Sequence, residues 1–115
     1  MAEIGLIEKF QASHGTKLHK HDFRVEIILE GKIDQQTGFV KGMDHYEVIA
    51  ELKKIISKIQ NKNLKEILTG AGYNSSGNES IATYFLKLLK ENFPVKCVKI
   101  WETDNRYAIV YSKEV

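Results

Sequence analysis

The first thirty residues of the chain alternate between apolar and polar side chains with the period of a β-strand. We predict two strands, over residues 4–13 and 21–31. In each strand the apolar residues share one parity and therefore one face of the sheet: Ile4, Leu6, Phe10 and Ala12 in the first, and Phe23, Val25, Ile27 and Leu29 in the second. The segment that follows, which contains Gly38, is typical of a turn.

The period then changes to that of an amphipathic helix, with an apolar stripe of Val48, Ile49, Leu52, Ile55, Ile56 and Ile59. Asp44 precedes this stripe and Glu47 follows three residues later, an order typical of a capped helix start. Residues 68–78 are rich in Gly, Asn and Ser and predict a loop. A second helix then ends before Pro94. Its predicted apolar stripe is Ile81, Phe85, Leu88 and Leu89.

Two further strands are predicted near the end of the chain, over residues 95–102 and 106–111, joined by a short turn at Asp104 and Asn105. The predicted order is ββααββ. Short connections favour antiparallel pairing, so we predict an α+β fold in which two helices cover one face of a four-stranded antiparallel sheet. At 115 residues the chain is expected to form one domain, residues 1–115. Such a sheet has two edges, and pairing with other subunits is one way to cover them.

Three of the four histidines interrupt the apolar faces of the first two strands. His14 continues the apolar parity of the first strand, and His19 and His21 continue that of the second. A positive charge is costly on such a face, whereas a metal ion binds neutral imidazoles. A lone core histidine is usually just hydrogen-bonded, but three that converge on one face favour a metal site. Imidazoles suit zinc, with copper, nickel and iron as alternatives, and three protein ligands leave a fourth position open, as in catalytic zinc sites.

A carboxylate ends the apolar parity of the third strand, where Glu102 follows Val98 and Ile100. An unpaired buried carboxylate is costly or changes its protonation state, so a partner should compensate it. Two interpretations are open. Glu102 is either exposed at the end of the strand before the turn, or it is a fixed carboxylate that accepts two N–H donors from the edge of a planar ligand.

The overall composition narrows the classes of function. Seventeen basic and 15 acidic residues give a net charge of +2, with the lysines spread along the chain, which provides no case for binding nucleic acid or an anionic membrane. A single cysteine, Cys97, excludes an internal disulfide and fits a reducing compartment, with a core or surface thiol as its expected role. The N-terminal residues are charged and lack a long apolar run, so we expect neither a signal peptide nor a membrane span, and a cytoplasmic protein.

Several short motifs occur together in this chain. FQASH and HKH contain the three histidines, TGFV precedes Asp44, NESIA begins the second helix, and WETDNRYAIVY contains Glu102. In this order and spacing they resemble the F-x-A-x-H, H-G-H, G-x-V…D, E-N-x-A and E-T…A-x-Y motifs of the 6-pyruvoyl-tetrahydropterin synthase and 6-carboxy-tetrahydropterin synthase family. The resemblance covers nearly the whole chain, although Lys20 replaces the glycine of H-G-H. It implies the tunnelling fold, in which trimers close into a barrel, two trimers stack into a hexamer, and the pocket lies between subunits.

The resemblance also implies roles for individual residues. It implies a zinc ion held by three histidines, His14, His19 and His21. It implies that Glu102 anchors the pterin ring, with Thr103 beside it. Glu79 aligns with the family's glutamate at the start of the second helix and is a candidate substrate-binding residue. The competing interpretation of Glu79 is purely structural, because residues 76–79 also have the sequence of a capping box.

The acid–base residues of the family are missing from this chain. The family has a Cys between its first His and H-G-H, whereas residues 15–18 include no Cys. The family's Asp-His pair after the first helix is replaced here by Gln60 and Asn61, whose amides cannot act as a general acid or base. Asp44 and His45 form a different Asp-His pair, before the helix. His45 is therefore a candidate base, with a first-turn helix residue as its competing interpretation, and water on the zinc ion is the other candidate.

The leading hypothesis is a zinc-dependent lyase that modifies the side chain of 7,8-dihydroneopterin triphosphate, in tetrahydrobiopterin or queuosine biosynthesis. It is expected to be a homo-oligomer, with a small-molecule pterin as partner and neither nucleic acid nor membrane. One alternative is a paralogue that binds zinc and pterin without turnover, which the missing acid–base residues favour. The other is a structural-zinc domain without a pterin site, which is disfavoured because no fourth ligand is evident near HKH. The missing residues determine the product, so the sequence does not identify it.

Overall fold

A computed structural model describes residues 1–14, 19–40 and 44–115. These residues form four strands, β1 (Ala2–His14), β2 (His19–Gly31), β3 (Val95–Thr103) and β4 (Arg106–Tyr111), and three α-helices, α1 (His45–Ile59), α2 (Leu64–Gly70) and α3 (Asn78–Leu89). A short 3-10 helix, Ser112–Glu114, follows β4. The strands form one antiparallel sheet in the order β1-β2-β3-β4, which confirms the predicted fold class. Within the described ranges, no helix has the length and apolar character needed to cross a membrane.

The sheet is built around the long hairpin of β1 and β2. The two strands pair without interruption from Ala2 opposite Gly31 to His14 opposite His19. Every second residue of β1 is buried from Phe10 onward, and the same alternation runs along β2 from Phe23. The predicted alternation is therefore confirmed, and both strands extend as far as the histidines.

The helices cover one face of the sheet and bury its apolar side chains. Phe10 stacks on Phe23 across the hairpin with ring centroids 5.1 Å apart, and Phe85 of α3 lies 5.7 Å from Phe10. We refer to Phe10, Phe23 and Phe85 as the aromatic cluster. All three side chains are buried, and each aromatic ring removes on the order of 150–250 Å² of surface from water. Their burial contributes strongly to the driving force for folding.

The start of α1 follows the predicted cap. Asp44 Oδ1 accepts a hydrogen bond from the backbone N–H of Tyr46 at 2.9 Å. Glu47 lies in the first turn, where the helix dipole favours a negative charge. The buried residues of α1 all belong to the predicted apolar stripe: Val48, Leu52, Ile55 and Ile59.

A helix that the sequence did not indicate follows α1. Residues 68–70, predicted as part of a loop, are the last three residues of α2. Asn63 caps this helix, since its side-chain oxygen accepts from the backbone N–H groups of Lys65 and Glu66. A helix of seven residues is too short to display a helical period in the sequence, so the prediction of two helices missed it.

One position in the predicted apolar stripe of α3 is also wrong. Leu88 is 43% exposed, and Leu86 is fully buried in its place. The buried residues of α3 are Ile81, Ala82, Phe85, Leu86 and Leu89. Around the helix, Leu86 lies at one edge of the buried stripe and Leu88 lies just beyond the other edge. Leu88 therefore faces solvent.

Two consecutive residues of β3, Cys97 and Val98, are both buried. Val98 pairs with Ile27 and belongs to the core cluster under the helices, whereas Cys97 pairs with Ile28 and does not belong to that cluster. A register shift follows between Ile28 and Leu29. Burial raises the pKa of the Cys97 thiol. Of the two roles that the sequence left open for Cys97, core or surface, the structure excludes a surface thiol, because the residue is buried.

Candidate metal centre

The pairing of β1 with β2 brings three imidazole rings together. His14 lies opposite His19, and Ala12 lies opposite His21, so the three rings occupy neighbouring positions on one face of the hairpin. The ring centroids are 4.7 Å apart for His14 and His19, 5.3 Å for His14 and His21, and 4.3 Å for His19 and His21. We refer to these three residues as the histidine cluster. The structure thus brings together the histidines that the sequence singled out.

Exposure to solvent increases across the histidine cluster. The side chain of His14 is 5% exposed, that of His21 28% and that of His19 47%. The ring of Phe23 packs against His14 with centroids 4.8 Å apart. The cluster is therefore an extension of the hydrophobic core, closed on the side of His14 and open to solvent on the side of His19.

A backbone carbonyl fixes the orientation of His14. Its Nδ1 lies 2.8 Å from the carbonyl oxygen of Ser76, a buried residue just before α3. Since a carbonyl oxygen only accepts hydrogen bonds, Nδ1 carries a proton and donates it. In the neutral ring, Nε2 then holds a lone pair directed into the cluster. Histidines that bind metals have this arrangement, in which the second ring nitrogen donates to a fixed outer group.

The carboxylate of Glu102, near the end of β3, lies among the three rings. Its Oε1 is 2.9 Å from Nε2 of His21, 3.3 Å from Nε2 of His14 and 3.6 Å from Nε2 of His19. The Glu102 side chain is only 14% exposed. The interpretation of Glu102 as an exposed strand-end residue is therefore wrong, because the side chain is largely buried and has several polar partners.

The second oxygen of Glu102 has separate partners. Asn78, at the start of α3, donates a hydrogen bond from Nδ2 to Oε2 at 3.0 Å. A guanidinium nitrogen of Arg106, in β4, lies 3.8 Å from the same oxygen. The Arg106 side chain is largely exposed, so water screens this ion pair. Asn78 is consequently the contact that fixes the orientation of the carboxylate.

The protonation states of the site suit a metal ion. Burial alone would raise the pKa of Glu102, but the hydrogen bond from Asn78 lowers it, and so do a hydrogen bond from His14 and the charges of His21 and His14 where these rings are protonated at both nitrogens, which brings it to about 2. Burial also lowers the pKa of His21 below 6.5. The negative charge of Glu102 raises this pKa, but burial and the positive charges of His19, His14 and Arg106 lower it by more. Because His21 is neutral near pH 7, the hydrogen bond from Asn78 rather than an ion pair with His21 keeps Glu102 ionised there. Metal ligands require these states, a neutral imidazole and an ionised carboxylate.

The donor set fits a divalent ion of the zinc class. One ligand atom from each of four side chains lies within 4.8 Å of all the others: His14, His19, His21 and Glu102. Zinc prefers four nitrogen, oxygen or sulfur donors at about 2.0–2.3 Å in tetrahedral geometry. Imidazole and carboxylate donors also accept iron, nickel and copper, so the donor chemistry selects the class of ion rather than a single element.

Two other predicted substrate-binding residues lie outside this group of ligand atoms. Thr103 follows Glu102 directly, and its hydroxyl is 2.9 Å from the side-chain oxygen of Asn105, to which it donates. Glu79 is exposed in the first turn of α3. The capping-box interpretation of Glu79 is wrong, because α3 starts at Asn78 with Gly77 as its N-cap rather than a serine. Glu79 is thus available for another role.

The candidate base, His45, is not among the grouped ligand atoms of the described residues. It is the first residue of α1, and its ring packs against Phe39 and Tyr46 with centroids 4.5 Å and 4.4 Å away. The segment 15–18, where the family's Cys is expected, lies outside the described residues.

Two residues after α1 attach this helix to the edge of the sheet, Gln60 and Asn61, which the family resemblance aligns with an Asp-His pair. Gln60 Oε1 accepts a hydrogen bond from the backbone N–H of Gln11 at 3.1 Å. Asn61 donates its backbone N–H to the carbonyl oxygen of Gln11 at 2.6 Å and has a φ of 59°, a left-handed conformation that Asn tolerates better than most residues. These two residues therefore close the end of α1 on β1, which is a structural role.

Sequence reasoning missed three contributors to the site. The first is Glu102 as a neighbour of the histidines, because its partner strand is distant in sequence. The second is Asn78, whose place at the start of the NESIA motif was the available signal. The third is the carbonyl of Ser76, for which no side-chain pattern exists.

Comparison with known proteins identifies the family of this chain. The family model described as 6-pyruvoyl tetrahydropterin synthase matches residues 4–113. Human 6-pyruvoyl tetrahydrobiopterin synthase is 32% identical over 104 residues, which cover 84% of this chain and 67% of the human protein. Dihydroneopterin monophosphate aldolase from Pyrococcus furiosus is 26% identical over 103 residues, which cover 81% of this chain and 82% of that protein.

Solved structures show the same fold. The 6-pyruvoyl tetrahydropterin synthase of Caenorhabditis elegans superimposes with a TM-score of 0.83 at 18% identity, covering 96% of this chain and 94% of that chain. At this level of identity the similarity concerns the fold alone, and the match to the family model adds the relationship in sequence. The chain therefore belongs to the 6-pyruvoyl tetrahydropterin synthase family, a family of pterin-pathway enzymes.

Proposed function

We propose that this protein is a zinc-dependent lyase that acts on the three-carbon side chain of a reduced pterin, with 7,8-dihydroneopterin triphosphate as its substrate. Its relatives are named for a pyruvoyl-tetrahydrobiopterin synthase and a dihydroneopterin monophosphate aldolase, both of which act on pterins. The observation that carries the proposal is the convergence of three imidazole nitrogens beside a fixed carboxylate. Neither a packed core nor a solvated surface requires that arrangement.

The metal ion is held by His14, His19 and His21. Zinc, when bound, supplies a Lewis acid that polarises the oxygens of the substrate side chain. The contribution of the protein is to present lone pairs in fixed directions. Ser76 holds the ring of His14 through Nδ1, and the exposure of His19 leaves the cluster accessible from solvent. A substrate can therefore approach on the side of His19.

Glu102 anchors the pterin ring in this proposal. An ionised carboxylate accepts hydrogen bonds from a ring N–H and an exocyclic amine together, and Asn78 already holds one of its oxygens in place. Thr103 and Glu79 are the further substrate-binding residues that we propose, on the basis of the family resemblance. His45 remains the candidate base, since the amides of Gln60 and Asn61 cannot take up a proton at neutral pH.

A specific observation favours a second candidate function, a paralogue that binds zinc and pterin without turnover. Gln60 and Asn61 stand where the family has its Asp-His pair, and they are engaged in fastening α1 to β1. No Cys lies between His14 and His19. Binding therefore has more support in this chain than catalysis does. The third alternative, a purely structural zinc site, no longer lacks a fourth donor, because Glu102 lies among the histidines. It fits less well because the relatives of the chain are named for pterin enzymes and the cluster is open to solvent at His19.

We further propose a cytoplasmic homohexamer, built as two stacked trimers. β1 and β4 are the two edges of the sheet, and both present large apolar side chains to solvent: Ile7 on β1, and Tyr107 and Tyr111 on β4. Exposed edges with apolar side chains are normally covered, and pairing with further copies of the chain would cover them. Sedimentation at micromolar concentration tests this, and a stable monomer would contradict it.

Mass analysis of the product tests the function directly. Zinc-loaded protein, purified without a polyhistidine tag, is incubated with 7,8-dihydroneopterin triphosphate. We expect about one zinc per chain and a product that has lost triphosphate or part of its side chain. In the His19→Ala/His21→Ala double variant, zinc and product should both be lost. Full zinc content in that variant contradicts the metal site, whereas bound pterin without product in the wild type selects the non-catalytic paralogue.

A further inference from the structure

We propose that Glu102 is a fourth ligand of the metal ion when no pterin is bound, so that the coordination shell stays closed until this carboxylate leaves. The inference rests on the proposed metal site and extends it. An anchor for the pterin ring needs no contact with the histidines, whereas a ligand must lie among them. Glu102 lies among them.

The distances describe one oxygen enclosed by three nitrogens. Oε1 is 2.9–3.6 Å from the Nε2 atoms of all three histidines, so it takes the position from which a carboxylate completes a set of four donors. An anchor whose two oxygens both faced a ligand pocket would not have one of them surrounded by imidazoles. Oε1 therefore belongs to the histidine cluster, and only Oε2 is directed elsewhere, toward Asn78.

The donors and acceptors of the cluster point to a cation between them. The contact with Ser76 assigns the proton of a neutral His14 to Nδ1 and the lone pair to Nε2. That lone pair then faces the Oε1 of Glu102 at 3.3 Å, so two acceptors confront one another. A divalent ion bound to both atoms removes the conflict. A doubly protonated His14 would also remove it, and metal titration distinguishes the two.

Outer contacts prepare Glu102 for this role. Asn78 donates to Oε2 and leaves Oε1 directed at the imidazoles. Within the described part of the chain, the side-chain oxygen of Asn78 is buried and has no hydrogen-bond partner. An acceptor of this kind beside Glu102 is available to the amino group of a planar ligand. The surroundings of Oε2 thus already include a donor and an acceptor from Asn78.

A competition follows from these two roles. One carboxylate cannot give Oε1 to the metal ion and both oxygens to the N–C–N edge of a pterin at the same time. Binding of the ring therefore withdraws Glu102 and opens a metal position next to the substrate side chain. Without pterin, Glu102 protects the ion from water and small anions. The same residue then couples recognition of the ring to access to the metal.

Cobalt(II) in place of zinc makes the coordination visible. Its absorption reports the number and type of ligands, and thiocyanate serves as a small anionic probe for an open position. The comparison includes wild type, Glu102→Gln, and Glu26→Gln as the matched control. Glu26 is a carboxylate of the same sheet with similar side-chain exposure, 18% against 14%, and it pairs with Lys99 rather than with the histidines. A further arm adds the unsubstituted pterin ring, which has no side chain that could bind the ion.

We expect Glu102→Gln to bind thiocyanate at least tenfold more tightly than wild type and cobalt at least tenfold more weakly, since the loss of outer-shell partners alone costs about 10–100-fold in metal affinity. Glu26→Gln should match wild type in both. In wild type, saturation with the pterin ring should strengthen thiocyanate binding at least tenfold. This last measurement needs no variant, so it remains decisive if Glu102→Gln fails to fold.

The possible failures are distinguishable. Equal cobalt and thiocyanate affinities in wild type and Glu102→Gln overturn the fourth ligand and leave the three-histidine site intact. A wild type that binds no cobalt overturns the metal site and the inference together. A ring that binds, as its fluorescence shows, without changing thiocyanate affinity overturns the competition. A ring that does not bind removes the proposed anchor role of Glu102, and the competition with it.

Discussion

The aromatic cluster and the histidine cluster lie side by side on one face of one hairpin, but different interactions hold them. Phe10 and Phe23 face each other across the strands, and two residues further along, Ala12 faces His21. The aromatic rings are all buried in the hydrophobic core, although Phe23 also packs against the ring of His14, whereas the imidazoles become progressively exposed and depend on polar partners. The first cluster should respond to changes of volume alone. The second should respond to metal and acid, which have no effect on the first.

A cavity in the aromatic cluster should have the largest effect on stability. Phe85 is fully buried, and Phe85→Ala removes a ring that contacts Phe10. We expect a loss of about 3–5 kcal/mol in the free energy of unfolding, equal with and without metal. Urea denaturation with and without chelator measures it. The matched control is Leu88→Ala, an exposed position on the same helix, with an expected change of no more than about 0.5 kcal/mol. If the loss of unfolding free energy in Phe85→Ala differed with and without metal, the two clusters would not be energetically independent.

The sequence predicted which faces the residues of the aromatic cluster occupy, because that signal is local, although it did not predict their contact. The parity of Phe10 within β1 and of Phe23 within β2 sets their face, and a strand fixes that face without knowledge of the rest of the fold. The same parity placed the three histidines on this face. What it did not predict was the distance between the histidines and Glu102, which depends on the pairing of β2 with β3 and on a register shift between Trp101 and Thr103.

Three features were not predicted because they leave no repeating pattern of apolar and polar side chains in the sequence. The contact that orients His14 comes from the backbone of Ser76, and any residue at that position carries a carbonyl. α2 spans seven residues and is stabilised by one cap at Asn63 and two buried leucines rather than by a long stripe. Leu88 lies at the edge of the α3 stripe, where spacing alone cannot decide between core and solvent.

Removal of the metal should have the next largest effect, and it should act on the histidine cluster alone. A ligand that binds only the folded state stabilises it by about 2.7 kcal/mol when its free concentration is 100 times its dissociation constant. We therefore expect chelator to lower the unfolding free energy of wild type by about this amount. The His19→Ala/His21→Ala variant should show no change with chelator. Calorimetry of both proteins with and without zinc provides the measurement, and an equal metal effect in the two contradicts the assignment.

Acid should also destabilise the histidine cluster of the metal-free protein. The pKa of Glu102 is about 2 in the folded state against 4.5 in the unfolded state, so its stabilisation is fully present above pH 4.5 and is lost as the pH falls toward 2. The lowered pKa of His21 acts in the same direction, because the unfolded chain takes up its proton first, from below pH 6.5. We expect Glu102→Gln to remove on the order of 2 kcal/mol of the change between pH 4.5 and 2.

The control for this measurement is Phe85→Ala, which should lower the whole curve of stability against pH without changing its slope below pH 4.5. Chemical denaturation at several pH values, in the presence of chelator, gives both curves. A Glu102→Gln protein that retains the slope of wild type would show that Glu102 is as free to protonate in the folded chain as in the unfolded one, contrary to its contacts with Asn78 and the imidazoles.

The smallest effect on stability is expected at Gln60. A substitution there tests whether the contribution of a polar residue can be independent of metal and acid, as that of the aromatic cluster is. Gln60 Oε1 accepts one hydrogen bond from the backbone of Gln11, so Gln60→Ala should cost about 0.5–1.5 kcal/mol, independent of metal and of acid. Gln35→Ala, at an exposed position in the turn after β2, is the control and should change stability by less than about 0.5 kcal/mol. Because the family resemblance aligns Gln60 with an acid–base pair, the same variants also separate structure from catalysis. Zinc content and any turnover per folded chain should be unchanged in Gln60→Ala. A loss of turnover with stability and zinc intact would show that this position still serves the reaction, and that its hydrogen bond to β1 is not its main role.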